Sequence, residues 1–130
     1  MSNFPQPEIT PLNGPYWQGL AAGKLQFQHC NRCNCAWLPP REECPQCLHA
    51  DWRWQTASGW AKLISWVRFH IAYHPAFKDR VPYNVAIVEL EEGPRLVSNL
   101  VGGGEPAIEH KLRLVIEKEG EVSLPRFALV

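Results

Sequence analysis

All five cysteines of this 130-residue chain fall in one short stretch, HCNRCNCAWLPPREECPQC, which spans residues 29 to 47. Four of them form two Cys-x2-Cys pairs with ten residues between the pairs. Two such turns that face each other place four thiolates at the corners of a tetrahedron, the ligand arrangement of a structural zinc ribbon. The spacing therefore predicts a Zn²⁺ site with four ligands: Cys30, Cys33, Cys44 and Cys47.

A four-sulfur shell is closed, so it leaves no position for water or substrate and the metal is expected to be structural. About thirty residues cannot form a core that outweighs chain entropy, and we expect metal binding to fold this module. The same ligands suit iron in a rubredoxin, so zinc is preferred and iron remains open. The leftover Cys35 is interpreted as a half-buried thiol, with a substitute ligand as the alternative, and His29 and His49 as neighbours of the site.

Charge and terminal composition limit the classes of partner. Thirteen Lys and Arg residues balance thirteen Asp and Glu residues, so no excess positive field draws the chain to nucleic acid or to an anionic membrane. The first residues, MSNFPQPEITPLNGPYW, lack the basic start and apolar run of a secretory signal, and no stretch is long enough to span a membrane. We expect a cytoplasmic protein, in which clustered cysteines bind metal rather than form disulfides.

The composition divides the chain into residues 1–57, with the helix and the ribbon, and residues 58–130, with alternating apolar and polar residues. The stretch NGPYWQGLAAGK predicts a helix of about two turns, capped at Asn13 or Gly14 and ended by Gly23. Tyr16, Trp17 and Leu20 share one face of this helix, which must pack on the ribbon or on a partner.

Strands alone are predicted after residue 57, at 58–71, 82–93, 94–104, 110–120 and in the tail LPRFALV. Five short strands in about seventy residues suit a small closed barrel, and the OB-fold is the commonest of these. The expected fold class is therefore mainly β: a short N-terminal helix, a rubredoxin-like zinc ribbon and a five-stranded OB-fold barrel.

The first barrel strand, SGWAKLISWVRFHI, carries two different faces. The odd positions, such as Leu63, Val67 and Phe69, predict a core face. The even positions mix aromatic, basic and apolar side chains: Trp60, Lys62, Ile64, Trp66, Arg68 and His70. This face suits base stacking and phosphate contact, but the first strand of an OB barrel bends, so Trp66 is equally well explained as a core residue.

The segments YWQGLAAGKLQFQHCNRC, PPREECPQC, SGWAKLISWVRF, PYNVAIVELEEGPRLVSNLVG and LPRF resemble, in order and spacing, a known family. It is the family of acyl-CoA-associated proteins catalogued as domain of unknown function 35, and the likeness runs from about residue 15 to residue 127. The resemblance implies a non-catalytic accessory subunit of a thiolase-fold or hydratase-like enzyme, with the four paired cysteines as metal ligands. It departs where Asn34, Leu48 and Glu109 replace usual glycines, and it predicts a distorted turn at Leu48 and a locally different barrel end at Glu109.

Contact with the partner or with acyl-CoA is predicted for exposed aromatic and basic side chains of the helix, the first barrel strand and the loop at 72–83. These are Trp17, Trp60, Trp66, Arg68, His70, Phe77, Lys78 and Arg80. An independent enzyme is not expected, because the histidines are scattered and no phosphate loop or catalytic triad motif occurs. The alternative function is a single-stranded nucleic-acid-binding protein, which the neutral charge balance disfavours.

Overall fold

The computed structural model of the chain describes residues 7–69, 83–102 and 105–130. One short helix and nine strands occur in these ranges. The elements are α1 Gly14–Ala21, β1 Gln26–Cys30, β2 Ala36–Trp37, β3 Trp52–Thr56, β4 Trp60–Phe69, β5 Tyr83–Leu90, β6 Arg95–Ser98, β7 Leu100–Val101, β8 Lys111–Glu119 and β9 Val122–Leu129.

The helix has the length and the ends that the sequence predicts. Asn13 precedes it, and the side-chain oxygen of Asn13 accepts a hydrogen bond from the backbone N–H of Thr10 at 2.7 Å. Pro15 lies in the first turn, where its missing N–H costs no hydrogen bond. Gly23 follows the last turn with a φ of +86°, a left-handed conformation that glycine adopts freely. The helix is therefore confirmed at eight residues.

A three-stranded antiparallel sheet, in the order β2-β1-β3, forms the ribbon. Its central strand buries Phe27 on one side and Gln28 on the other. The Gln28 amide donates to the backbone oxygen of Arg41 at 2.7 Å and accepts from the backbone N–H of Arg41 at 2.7 Å. This pair of bonds holds the segment after Pro39 and Pro40 against one face of the sheet.

A six-stranded sheet, in the order β6-β5-β4-β8-β9-β7, forms the rest of the fold. Strands β6 and β7 lie at opposite ends of this order, yet only Asn99 separates them in the chain, so the sheet closes on itself. The closing pair, β7 and β9, is parallel, with Leu100 opposite Phe127. The mainly β fold with an OB barrel is thus confirmed.

The third predicted barrel strand differs from its prediction because it is split into β6 and β7 at Asn99. The Asn84 side chain pairs with the backbone of Leu100 on both sides, accepting from its N–H at 2.5 Å and donating to its oxygen at 2.8 Å. Asn99 donates to the backbone oxygen of Asn84 at 2.5 Å. The two side-chain amides replace ladder hydrogen bonds at the corner where the strand leaves β5 and joins β9.

One hydrophobic core joins the two sheets. Its buried members come from the helix and β1 as well as from the barrel: Leu20, Leu25, Phe27, Ala61, Leu63, Ala86, Val88, Leu90, Leu112 and Phe127. The helix therefore packs on this protein's own barrel. The division at residues 57 and 58 falls between the two sheets, and the assignment of 1–57 and 58–130 as two domains remains a prediction.

Candidate metal centre and flanking surfaces

The four paired cysteines lie together at the end of the ribbon. Cys30 closes β1 and Cys33 follows in a turn, while Cys44 and Cys47 occupy a second turn of the same shape. The Sγ atoms of Cys30 and Cys47 are 3.5 Å apart, as are those of Cys33 and Cys44, and all four lie within 4.8 Å of one another. The chain thus brings the predicted ligands together as one group that could bind a metal ion.

The geometry fits a tetrahedral ion better than disulfides. A zinc ion bonded to four sulfurs at about 2.3 Å sets the sulfurs about 3.8 Å apart, whereas a disulfide needs about 2.05 Å. All five cysteines are free thiols in the structure. The sulfur–sulfur distance of 3.5 Å between Cys30 and Cys47, with all four sulfurs within 4.8 Å of one another, agrees with the spacing around a tetrahedral ion. The identity of the metal remains a prediction.

Backbone N–H groups favour the deprotonated, thiolate form of two of the cysteines. The N–H groups of Cys33 and Arg32 point at the Sγ of Cys30 at 3.5 and 3.4 Å, and those of Cys47 and Gln46 point at the Sγ of Cys44 at the same distances. The N–H of Cys33 lowers the pKa of Cys30. Burial raises the pKa of Cys44, but the N–H groups of Cys47 and Gln46 outweigh it and lower that pKa to about 6. A low thiol pKa favours metal binding near neutral pH.

Cys35 lies beside this group without joining it. Its Sγ is 3.8 Å from the backbone oxygen of Ala36, and burial raises its pKa. Its backbone oxygen accepts from the N–H of Cys30 at 2.8 Å, which closes the first turn. The interpretation of Cys35 as a half-buried thiol agrees with this placement.

The turn after the second cysteine pair is regular, and the expectation of a distorted turn was wrong. Leu48 adopts a φ of 63°, the same value as Asn34 after the first pair, and the two turns match. Glu109 likewise takes the glycine conformation, with a φ of 70°, and the expected local difference of the barrel end stays a prediction. The backbone bonds of each turn impose the left-handed conformation at a steric cost that glycine would avoid.

Leu48→Gly is therefore expected to stabilise the protein, by about 1 kcal/mol. The left-handed conformation costs a residue with a Cβ about 1–2 kcal/mol, and the extra unfolded-state entropy of glycine offsets part of the gain. Leu48 is 67% exposed, so little packing is lost. Thermal unfolding of the metal-loaded protein measures the change. Leu38→Gly, at a half-buried residue packed on the core, is the control and should destabilise the protein. Equal changes in unfolding temperature for both variants would contradict the explanation by backbone strain.

Strand β4 changes faces half-way along, so the predicted core face was wrong at Val67. A bulge between Leu63 and Ser65 shifts the register with β5. An extra residue in one strand reverses the alternation that follows it. Val67 is therefore 50% exposed, whereas Trp66 is half-buried and packs against the core.

The bulge also divides the predicted aromatic and basic face. Trp60 lies on the outer surface and is 38% exposed, while Trp66 turns inward and Arg68 lies over its ring at 5.4 Å. The alternative interpretation of Trp66 as a core residue fits the structure. A continuous stacking face along this strand does not form among the described residues, which removes the main support for binding of single-stranded nucleic acid.

Trp17 is half-buried and packs on the core with Tyr16, whose ring meets it edge-on at 5.0 Å. Both rings line a groove of about 460 Å³ between the helix, the ribbon tip at Leu38 and Pro39, and β6. Four other predicted contact residues, His70, Phe77, Lys78 and Arg80, lie outside the described residues. Partner contact at any of the predicted positions remains a prediction.

Two arrangements were missed at the sequence level. Lys111 lies with its ammonium 4.4 Å from the Trp60 ring, and Arg113 lies opposite Trp60 on the neighbouring strand. Arg126 is almost completely buried and pairs with Glu117 and Glu119. Lys111 and Arg113 alternate with apolar residues in the sequence, but only the strand register brings them to Trp60. The helix α1, with eight residues, is far too short to cross a bilayer, and the described parts of the chain have no longer one.

Comparison with known proteins gives matches over nearly the whole chain. The sequence profile described as "ChsH2, C-terminal OB-fold domain" matches residues 54–117. A protein of Methanothermobacter thermautotrophicus named "DUF35 domain-containing scaffold protein" is 35% identical over 75% of this chain and 77% of its own length. A protein of the same name from Methanocaldococcus jannaschii is 34% identical over 55% of this chain and 51% of its own length.

A longer relative from Thermomonospora curvata is named "Probable enoyl-CoA hydratase alpha subunit". It is 37% identical over 95% of this chain, which spans only 39% of the relative's length. Among solved structures, a chain of the "Ltp2-ChsH2(DUF35) aldolase" is 35% identical, with a TM-score of 0.84 over 95% of this chain and 98% of that one. A DUF35 protein from Sulfolobus solfataricus, at 15% identity and a TM-score of 0.69 over 94% of this chain and 87% of that one, shares the fold.

Proposed function

This chain belongs to the DUF35 family, and we propose that it is a non-catalytic accessory subunit of a thiolase-fold enzyme that acts on CoA thioesters. The enzyme would be a thiolase, an acyltransferase or an aldolase. The observation that carries the proposal is the likeness, at 35% identity and over 98% of its length, to a chain of a structure named as an aldolase. The two archaeal relatives named as scaffold proteins support a role without catalysis.

In this proposal the metal centre is structural. Cys30, Cys33, Cys44 and Cys47 would hold the ion, which supplies four bonds that fix the ribbon and no open position for chemistry. The ribbon in turn shares the core with the helix and the barrel through Leu25 and Phe27. A rigid assembly of this kind presents fixed surfaces to a partner, which supplies the nucleophile and the acid and base groups.

A hydratase-like partner is the alternative within the same class, supported by the printed name of the Thermomonospora relative. This chain spans about two fifths of that relative. Direct contact with acyl-CoA and a cytoplasmic location remain predictions.

Co-expression tests the proposal. The chain is produced with a thiolase-like subunit, and separately with a hydratase-like subunit, that its source encodes in a neighbouring gene, and each preparation is compared with the chain expressed alone. We expect a stable complex with one of them, seen as co-elution at a higher molecular mass, and dependence of that subunit's activity on this chain. Separate elution in both preparations would contradict the proposal.

A further inference from the structure

The outer surface of the barrel carries a small group of aromatic and basic side chains, which we call the Trp60 face: Trp60 on β4 and Lys111 and Arg113 on β8. Register places Trp60 opposite Arg113 and Lys62 opposite Lys111, and the intervening Ala61 and Leu112 point into the core. All three side chains of the face are exposed. They belong to adjacent strands of a closed barrel, so their positions are fixed by backbone pairing.

The charges of this face are not neutralised within the described part of the chain. The neighbouring Lys62 is balanced, with its ammonium 3.3 Å from Glu109 and 3.7 Å from Glu89. Lys111 instead lies over the Trp60 ring at 4.4 Å, and neither Lys111 nor Arg113 has a carboxylate within 4.0 Å among the described residues. In a chain with no net charge, two adjacent free cations beside an exposed indole are a local excess of positive charge.

The composition of the face is that of a binding hot spot. Tryptophan and arginine are the residues that contribute most at protein interfaces, where they lie inside a rim of polar groups that excludes water. Here the paired charges of Lys62, Glu89 and Glu109 form one side of such a rim. A cleft of about 480 Å³ between Trp60, Glu91 and Lys111 gives the face a concave border.

We propose that the Trp60 face docks an acidic surface of the enzyme subunit, an inference that rests on the proposed function above. Charge complementarity favours a protein over a nucleic acid as the partner that binds the Trp60 face. A protein surface can place a carboxylate on Lys111 and a basic group on Glu91 in the same cleft, and a further carboxylate on Arg113 beside it. A nucleic acid strand carries one sign of charge throughout, so Glu91 would repel it, and Trp66 is turned away from this surface.

Charge reversal tests the inference on the full chain and on the subunit that co-elutes with it. We expect Lys111→Glu/Arg113→Glu to weaken the complex by about 100-fold, since like charges then face each other across a desolvated contact. Lys24→Glu/Lys118→Glu makes the same change of net charge at exposed positions elsewhere and should change the affinity less than about 3-fold. Trp60→Ala should weaken it by about 10-fold or more. Thermal unfolding of each variant shows that the fold is retained.

The outcomes separate the two proposals. If the wild-type chain binds neither subunit, both fail. If the wild-type complex forms and the Lys111→Glu/Arg113→Glu chain binds as tightly as the control, docking at this face is wrong while the accessory function stands. A fluorescent oligo(dT) of about 20 nucleotides is titrated in parallel; binding that the face variant abolishes, without an effect on the subunit, would assign the face to nucleic acid and overturn the inference.

Discussion

Cys44→Ser is expected to abolish metal binding and to unfold the protein, not merely to reduce the activity of a complex. Structural zinc contributes on the order of 10–16 kcal/mol of apparent binding free energy near neutral pH, as much as the whole stability of a typical domain. Apart from Trp37, the buried residues of the ribbon's own cluster are Cys30 and Cys44 themselves. Serine keeps the size of the side chain but cannot provide a soft thiolate, so the ribbon would lose what holds its two turns together.

The unfolding should extend beyond the ribbon. Strand β1 supplies Cys30 to the metal centre and Phe27 to the core shared with the barrel, and both are fully buried. Loosening the ribbon therefore exposes part of the barrel core. We expect elemental analysis to show loss of stoichiometric metal. The loss of stability should be about 4 kcal/mol or more, which at about 4–8 °C per kcal/mol lowers the unfolding temperature by at least 15 °C or abolishes the cooperative transition.

Cys35→Ser is the matched control, because it makes the same chemical change two residues after a ligand. Cys35 is outside the four-sulfur group and half-buried, so we expect full metal content and a loss below about 1 kcal/mol. A strong chelator added to the wild-type protein should reproduce the effect of Cys44→Ser. A Cys44→Ser protein that keeps its unfolding temperature without bound metal would show that the site is not structural.

The grouping of the four cysteines and the order of elements were predictable because both depend on local spacing. Two turns of four residues position four thiolates whatever surrounds them, and Pro15 and Gly23 define the helix ends through their own backbone preferences. The positions of the five barrel strands follow from alternation and from Gly and Pro turns. These features need no knowledge of distant contacts.

The faces of the strands were less predictable because the closed barrel decides them. The apolar face of WAKLISWVRF is interrupted only at Ser65, and one polar residue is too weak a signal to identify the bulge between Leu63 and Ser65 that turns Trp66 inward. Barrel closure likewise splits the third strand at Asn99, where side-chain amides replace the ladder. Leu48 was equally hard to predict from its own residue type. The hydrogen bonds of the turn after Cys44 and Cys47 hold it at a positive φ, although leucine prefers a negative φ.

The buried ion pairs of Arg126 were the least predictable feature from the sequence, because the partners of Arg126 are defined only by the pairing of β8 with β9. A guanidinium nitrogen of Arg126 lies 2.6 Å from Glu117 and 2.9 Å from Glu119, and the side chain is 10% exposed. Glu119 is 15% exposed and Glu117 is 41% exposed. One buried cation thus sits between two carboxylates that would otherwise repel each other.

Arg126→Met is expected to destabilise the protein by about 3 kcal/mol. Removal of one partner from a buried ion pair costs about 3–5 kcal/mol, and the lower end applies because Glu117 is partly solvated. Arg113→Met, at an exposed arginine on β8, is the matched control for stability and should change it by less than about 0.5 kcal/mol. Chemical denaturation of the metal-loaded variants measures both effects.

The cause is separated from lost packing by adding Glu117→Gln and Glu119→Gln to Arg126→Met. If the negative charges of Glu117 and Glu119 are responsible once Arg126 is removed, neutralising them should recover most of the lost stability, because the amides need no buried countercharge. If the triple variant is no more stable than Arg126→Met, the arginine acts through the packing of its aliphatic stem instead. The first result would show that Arg126 acts by neutralising Glu117 and Glu119 on the β8–β9 hairpin, whose strand β8 also carries Lys111 and Arg113 of the Trp60 face.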